Sequence, residues 1–177
     1  MSNWTTQQKL EKANEIKEEG NKLVKEGQYR KAAKTYRTVF FYVNGLISKE
    51  NEEMAKFSSS LLSEEESLKV KELKTTTNTN LALCYLKLEE PEKVIECAEK
   101  ALKYDPKNAK ANLRLGSAYL QLKMWEKAKP YLIAAYNSEP NNVTIKNELK
   151  IWKSGYEQWS QEQKMKEKQA FGGKLLS

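Results

Sequence analysis

Residues 112–140 read NLRLGSAYLQLKMWEKAKPYLIAAYNSEP, and residues 78–106 read NTNLALCYLKLEEPEKVIECAEKALKYDP. The two stretches share a spacing of small and large residues when they are aligned 34 positions apart. The shared positions are Leu115, Gly116, Tyr119, Ala128, Leu132, Ala135 and Pro140 in the later stretch, and Leu81, Ala82, Tyr85, Val94, Ala98, Ala101 and Pro106 in the earlier one. A repeat of this length is typical of helix pairs that stack on one another.

A third, more divergent unit precedes these two. When Gly20 is placed at the small position, Leu23, Ala32, Tyr36 and Val39 follow at matching offsets. The pattern resembles the tetratricopeptide repeat, in which a small residue marks the place where the second helix of a unit crosses the first. We therefore predict an all-α fold, a right-handed superhelical stack of three helix pairs closed by a long C-terminal capping helix.

The predicted units are 13–46, 75–108 and 109–142, after an N-terminal lead-in at 1–12. A helical extension at 47–74 separates the first unit from the second. It is interrupted by Ser58-Ser59-Ser60, and Ser63 with Glu66 has the spacing of a capping box. We expect the second helix of the first unit to run long, the chain to turn at the serines, and the first helix of the second unit to start early.

The C-terminal capping helix is predicted at 143–170, with a flexible tail at 171–177. Its apolar residues recur at helical spacing: Ile145, Leu149, Trp152, Tyr156 and Trp159. A stack of repeats leaves its last apolar face open, so this stripe is expected to cover it. The other faces carry lysines, which favours either a solvated polar face or a basic amphipathic helix that calmodulin binds, and both alternatives can hold together.

Composition excludes several classes of function. The 177 residues carry a net charge of +7 and contain no histidine. Because histidine is the commonest general base and metal ligand, we expect no catalytic site, no metal and no cofactor. Cys84 and Cys97 are expected to be buried reduced thiols.

The sequence also constrains the cellular location of the protein and its classes of partner. No apolar run approaches the roughly 20 residues of a membrane span, so no membrane association is expected. The polar N-terminus lacks an apolar signal core, which favours a cytoplasmic or nuclear protein. The positive charge raises nucleic-acid binding as an alternative, but the lysines are interleaved with glutamates and no nucleic-acid motif occurs, so we expect no nucleic-acid partner.

Five polar residues fall on the first helices of the three units, which line the inside of a curved stack. Lys17 and Asn21 are four residues apart on one face of their helix, and so are Lys110 and Arg114. Asn80 and Arg114 occupy the same repeat position. This set suits an extended peptide rich in carboxylates, because arginine, lysine and asparagine all bind carboxylate oxygens. The alternative is that these residues form only a solvated surface.

The motifs Lys17-x-x-Gly20-Asn21, Asn80-Leu81-Ala82 and Lys110-x-x-x-Arg114 resemble the two-carboxylate clamp of co-chaperone tetratricopeptide domains. Such domains bind the C-terminal EEVD tail of heat-shock protein 90 or heat-shock protein 70. The resemblance implies that Lys17, Asn21, Asn80, Lys110 and Arg114 hold the terminal carboxylates. It also implies that Val24 contributes to a pocket for the apolar last side chains.

A narrower resemblance is to the C-terminal region of large FKBP-type immunophilins. It lies in Trp4, in the segments 9–13 and 17–20, in NLALCYLKL at residues 80–88, and in the segments 95–97 and 100–102. In that family a peptidyl-prolyl isomerase domain precedes the repeats. The resemblance implies that this chain is a non-catalytic peptide-binding module and that any isomerase activity belongs to a longer parent. The alternative is a scaffold that binds another acidic peptide.

Overall fold

A computed structural model describes residues 4–44, 46 and 62–174. Within these residues every regular element is an α-helix, which confirms the predicted all-α fold. The helices are α1 (Thr6–Lys25), α2 (Tyr29–Val43), α3 (Glu64–Lys87), α4 (Pro91–Tyr104), α5 (Ala109–Gln121), α6 (Trp125–Ser138) and α7 (Val143–Lys174).

The helices pack as three successive pairs, α1 with α2, α3 with α4, and α5 with α6. The first helices of the pairs also contact one another in order, α1 against α3 and α3 against α5, so they lie side by side. The last helix, α7, packs on α6. This is the predicted right-handed superhelical stack with a helix that covers its final pair.

Glycines at the helix crossings allow the two helices of a unit to approach closely. A Cβ atom on Gly20 would lie 2.5 Å from Cε1 of Tyr36, and one on Gly116 would lie 2.6 Å from Cδ2 of Leu132. Both distances are far inside van der Waals contact, so a larger residue would push the second helix away. The prediction of a small residue at these two crossings is confirmed.

Capping boxes determine where α1 and α3 begin. Thr5 and Gln8 bond reciprocally at the start of α1, and Ser63 and Glu66 do the same at the start of α3. The predicted early start of the second unit's first helix is therefore confirmed. The predicted lead-in at 1–12 is corrected, since it already contains the first turns of α1. The reason is that the Thr5 cap satisfies the free amides of a helix that begins at Thr6.

The second helix of the first unit does not run long, so this prediction is wrong. α2 ends at Val43, where the Asn44 amide still donates to the carbonyl of Phe40. The following sequence, Asn44-Gly45, is a pair that favours a turn over a continued helix. The serines at 58–60, with their predicted turn, lie outside the described residues.

The turn between the two helices of each unit contains one residue in the left-handed region. These residues are Gly27 (φ 73°), Glu89 (φ 57°) and Lys123 (φ 55°). Glu89 and Lys123 stand at equivalent repeat positions. A left-handed backbone favours glycine, so only the first unit carries the residue that the turn prefers.

Two groups of buried side chains hold the stack together. The larger cluster runs through all three pairs and ends on α7, and it includes Tyr36, Leu81, Val94, Leu115, Leu132 and Ile145. The smaller cluster belongs to the first pair and the start of α3, and it includes Leu10, Ile16, Val39, Val43 and Leu73. The larger cluster therefore joins each pair to its neighbours in the stack.

The capping helix α7 is anchored in its first half and exposed in its second. Ile145 is fully buried, and Nε1 of Trp152 donates a 2.8 Å hydrogen bond to the carbonyl oxygen of Trp125. From residue 161 to residue 170 the side chains are mostly exposed, and Met165 is 57% exposed. None of the helices described here has a segment long and apolar enough to cross a membrane.

The predicted end of α7 at residue 170 is corrected, because the helix continues to Lys174. Four residues of the predicted flexible tail at 171–177 are thus helical, and the remaining three lie outside the described residues. Residues 161–170 are all Lys, Glu, Gln, Met or Ala, which are good helix formers, whereas 171–174 read Phe-Gly-Gly-Lys. The helix extends into these last residues because adding a residue to an existing helix avoids the cost of nucleation.

Candidate functional site

Lys17 and Asn21 lie on α1, and both contact the carboxylate of Glu18. Nζ of Lys17 lies 3.3 Å from Oε1 of Glu18, and Nδ2 of Asn21 donates a 3.1 Å hydrogen bond to Oε2. The Lys17 side chain is only 19% exposed, and its ammonium also donates to Oδ1 of Asn14 at 3.1 Å. The hydrogen bond from Asn21, assisted by Lys17, lowers the pKa of the Glu18 carboxyl. These two predicted site residues therefore already bind a carboxylate.

Asn21 also links α1 to α3. Nδ2 of Asn80 donates to Oδ1 of Asn21 at 3.0 Å, and the hydroxyl of Tyr36 donates to the same oxygen at 2.6 Å. An amide oxygen has two lone pairs, so Oδ1 of Asn21 is fully used. Its NH₂ group is consequently held toward Glu18. The structure brings together two predicted asparagines that are 59 residues apart in the chain.

The sequence analysis missed the role of the Tyr36 hydroxyl. Tyr36 is only 1% exposed, and burial raises its pKa to about 12, so the hydroxyl keeps its proton and remains a donor. The equivalent positions in the other two units are Ala98 and Leu132, neither of which can form a hydrogen bond. The sequence carried a signal for this role, since Tyr36 has a polar group at a position that is apolar in the other two units.

Lys110 and Arg114 lie on α5 and differ in their environment. Lys110 is exposed, whereas Arg114 is half-buried. Nε of Arg114 is buried and has no hydrogen-bond partner in the part of the chain that the structure describes. Burial lowers the pKa of the Arg114 guanidinium, and the carboxylate of Glu148 acts in the opposite direction.

Glu148 is a second residue that the sequence analysis missed, because it lies on the capping helix α7. Burial raises the pKa of its carboxyl, while the hydroxyl of Ser117 and the charge of Arg114 oppose this rise. The capping helix therefore supplies a carboxylate beside the arginine of the candidate site.

The structure joins Lys17, Asn21 and Asn80 through direct contacts and through Glu18. Lys110 and Arg114 lie on α5, which packs beside α3, and the charges of Arg114 and Glu148 influence each other. Val24 is half-buried and packs against the larger core cluster, so part of its side chain is structural. Its contribution to a ligand pocket stays a prediction.

Both cysteines are free and buried, which confirms the prediction made for them. Burial raises the pKa of the Cys84 thiol to about 12 and that of Cys97 to about 11. Thiols with such values carry almost no thiolate near neutral pH, so they are poor nucleophiles and act as small core residues.

Comparison with known proteins identifies the repeats. Residues 77–108 and residues 97–129 each match a family model described as tetratricopeptide repeat. These residues are tetratricopeptide (TPR) repeats. They cover the second unit and most of the third, where the spacing of small residues is clearest.

The chain is homologous to FKBP-type proteins. It is 31% identical over 146 residues to the human peptidyl-prolyl cis-trans isomerase FKBP4. This match covers 82% of the chain but 29% of FKBP4, so the TPR chain spans less than a third of that relative.

Solved structures place the fold among TPR domains. The C-terminal TPR-containing domain of an FK506-binding protein from Plasmodium falciparum superposes with a TM-score of 0.75 and 29% identity, over 92% of this chain and 98% of that one. The first TPR domain of Spaghetti (RPAP3), bound to the HSP90 peptide SRMEEVD, has a TM-score of 0.63 and 23% identity, over 82% of this chain and 94% of that one. The second TPR domain of human RPAP3, in complex with the HSP70 peptide SGPTIEEVD, has a TM-score of 0.59 and 23% identity, over 80% of this chain and 94% of that one.

Proposed function

We propose that this TPR domain is a co-chaperone module that docks the C-terminal EEVD tail of heat-shock protein 90 or heat-shock protein 70. The tail would bind across α1, α3 and α5, with Lys17, Asn21, Asn80, Lys110 and Arg114 as its carboxylate ligands. The observation that carries the proposal is the bonded set of Lys17, Asn21 and Asn80, which presents an ammonium and an oriented amide to a carboxylate.

The orientation of Asn21 favours a carboxylate over a neutral acceptor. Its carbonyl oxygen is occupied by Tyr36 and Asn80, so Asn21 can offer a ligand only its N–H groups, one of which donates to Glu18 in the absence of a ligand. Hydrogen bonds from such donors to a charged carboxylate are stronger than those to a neutral carbonyl. The neighbouring ammonium of Lys17 adds a point charge at the same place.

Arg114 supports binding of a second acidic group. A half-buried guanidinium with a buried, unpartnered Nε is poorly solvated, and an anionic ligand would compensate that loss. Exposed Lys110, one helical turn before it, would add a screened positive charge. Two separated carboxylate sites match a tail that carries acidic side chains as well as a terminal carboxylate.

The relatives support the same partner class. The two RPAP3 domains share this fold and bind chaperone tail peptides, and FKBP4 is a peptidyl-prolyl isomerase that this chain matches over 29% of its length. We accordingly assign the chain to the TPR region of an FKBP-type protein. Half-buried Val24, three residues after Asn21, would contact the apolar last side chain of the tail.

The test is calorimetric titration with two peptides, one ending MEEVD and one ending PTIEEVD, each with a C-terminally amidated control. We expect micromolar affinity for the free acids, about 8 kcal/mol of binding free energy, that weakens with added salt. The amides should bind far less tightly. Lys110→Ala should weaken binding more than Lys31→Ala, which removes the same charge from an exposed position on α2. Equal affinity for acid and amide would refute the proposal.

A further inference from the structure

Glu18 has the chemistry of a ligand that the site would bind. Both of its carboxylate oxygens are engaged, Oε1 by the ammonium of Lys17 and Oε2 by the amide of Asn21. These are two of the five residues proposed to hold the carboxylates of a peptide. A ligand carboxylate cannot use the same N–H groups while Glu18 holds them.

The contact is of a kind that a ligand can displace. The Glu18 side chain is 61% exposed, and both of its partners lie within three residues on the same helix. Exposed ion pairs of this type are weak, and exposed side chains change rotamer in picoseconds to nanoseconds. The bonds that Asn21 makes with Tyr36 and Asn80 are different, because they cross between helices and Tyr36 is fully buried.

We propose that Glu18 is an internal competitor that occupies the Lys17–Asn21 carboxylate site until a ligand carboxylate replaces it. The inference rests on the proposed function, since it names the internal competitor of the same site. The competition affects which ligands bind tightly. A ligand with one carboxylate merely exchanges one carboxylate for another here, whereas a ligand that also reaches Lys110 and Arg114 gains additional contacts. Glu18 thus lowers the affinity of both kinds of ligand, and only a ligand with several carboxylates compensates this loss through Lys110 and Arg114.

The test compares Glu18→Gln and Glu18→Ala with wild type by fluorescence anisotropy, using a labelled free-acid peptide that ends EEVD. Removing the competing charge should tighten binding about two- to fivefold, the fold-change that matches loss of an exposed ion pair. The matched control is Glu19→Gln, which removes the same charge from the adjacent, exposed position on α1. Unchanged or weaker binding by both Glu18 variants, or an equal gain from Glu19→Gln, would overturn the inference.

A second measurement separates this inference from the proposed function. Sodium acetate is titrated into wild type and Glu18→Gln while the side-chain NH₂ resonances of Asn21 are followed by NMR, with sodium chloride at equal concentration as the control. Acetate should shift these resonances at lower concentration in the variant. If the EEVD peptide binds neither protein, the proposed function fails, and the acetate titration alone decides the role of Glu18. Identical acetate curves would then overturn it.

Discussion

The hydroxyl of Tyr36 donates a 2.6 Å hydrogen bond to Oδ1 of Asn21 across the crossing of α1 and α2. The tyrosine ring reaches this position because Gly20, the residue before Asn21, has no side chain to block it. A residue that packs the core of the first unit therefore also orients a residue of the candidate site. Packing and recognition are coupled at this crossing.

Replacing Tyr36 by Phe should weaken peptide binding while the fold is retained. The ring would still fill its place against Gly20, but Oδ1 of Asn21 would lose one of its two donors, and the amide would be less firmly oriented. We expect a loss of about 0.5–1.5 kcal/mol in unfolding free energy, the usual value for one hydrogen bond. Urea denaturation and calorimetric titration measure the two effects. Peptide affinity equal to that of wild type would show that Asn21 does not need Tyr36.

Replacing Arg114 by Ala should affect both binding and the pH dependence of stability. We expect a loss of about 1.5–3 kcal/mol in binding, the range for a hydrogen bond to a charged group. Glu148 would lose the compensating charge of Arg114, so the pKa of its carboxyl, already raised by burial, would rise further.

The sign of the pH effect follows from that raised pKa. A group whose pKa is higher in the folded state than in the unfolded state costs stability when ionised, and the cost disappears as the pH falls through the folded pKa toward the unfolded one. Arg114→Ala should therefore be less stable than wild type near neutral pH and approach it as the pH is lowered. Melting temperatures from neutral to acidic pH test this, with Lys110→Ala as the exposed control. A gap that widens on acidification would contradict the assignment.

The repeat pattern predicted the architecture because it depends on residues that act through size alone. Gly20 meets Tyr36 and Gly116 meets Leu132 at helix crossings whose spacing can be read directly from the sequence. The five candidate site residues were also placed on the correct helices, since helical periodicity fixes which face they share.

The contacts within the site could not be predicted in the same way. Tyr36 and Glu148 come from a second helix and from the capping helix, and their distance from α1 and α5 depends on how helices pack in three dimensions. Glu18 lies next to Lys17 in the sequence, but which rotamer it adopts is decided by competition between solvent and its neighbours. The end of α2 at Val43 also differs from the prediction, because the pair Asn44-Gly45 favours a turn over a continued helix.

The three turns with a left-handed residue provide a test of backbone strain. Glu89→Gly and Lys123→Gly should each raise the unfolding free energy by about 0.5–1 kcal/mol, because glycine adopts this conformation without the clash of a Cβ atom. The matched contrast is Gly27→Ala, which should lower stability by a similar amount although no atom lies within 4 Å of the added methyl group. Chemical denaturation measures all three. A stabilising effect of Gly27→Ala would show that the turn geometry is not what limits these positions.

Deleting residues 161–177 should cost little stability, whereas truncation before Ile145 should be severe. The side chains that the structure describes at 161–170 are mostly exposed, but the second change uncovers Leu132 and other buried residues of the last pair. Thermal melting of the two truncated proteins measures the difference. A calcium-dependent calmodulin pull-down on the same proteins tests the predicted calmodulin site. Calmodulin binding by the protein that lacks residues 161–177 would place the calmodulin site upstream of residue 161. A large loss of stability from the same deletion would mean that the lysine-rich end of α7 packs on the repeats.

The change from buried to exposed side chains along α7 determines how the two ends of this helix unfold locally. One continuous helix is buried at Ile145 and has exposed side chains from Lys164 to Ala170. In a linear stack, protection of backbone amides against hydrogen exchange comes from the neighbours that must separate before an amide is exposed. The amides near Ile145 should therefore exchange only when the last pair opens, while those near the end of α7 should exchange by fraying. The position along this single helix at which the exchange rate changes would mark the edge of the cooperative folding unit.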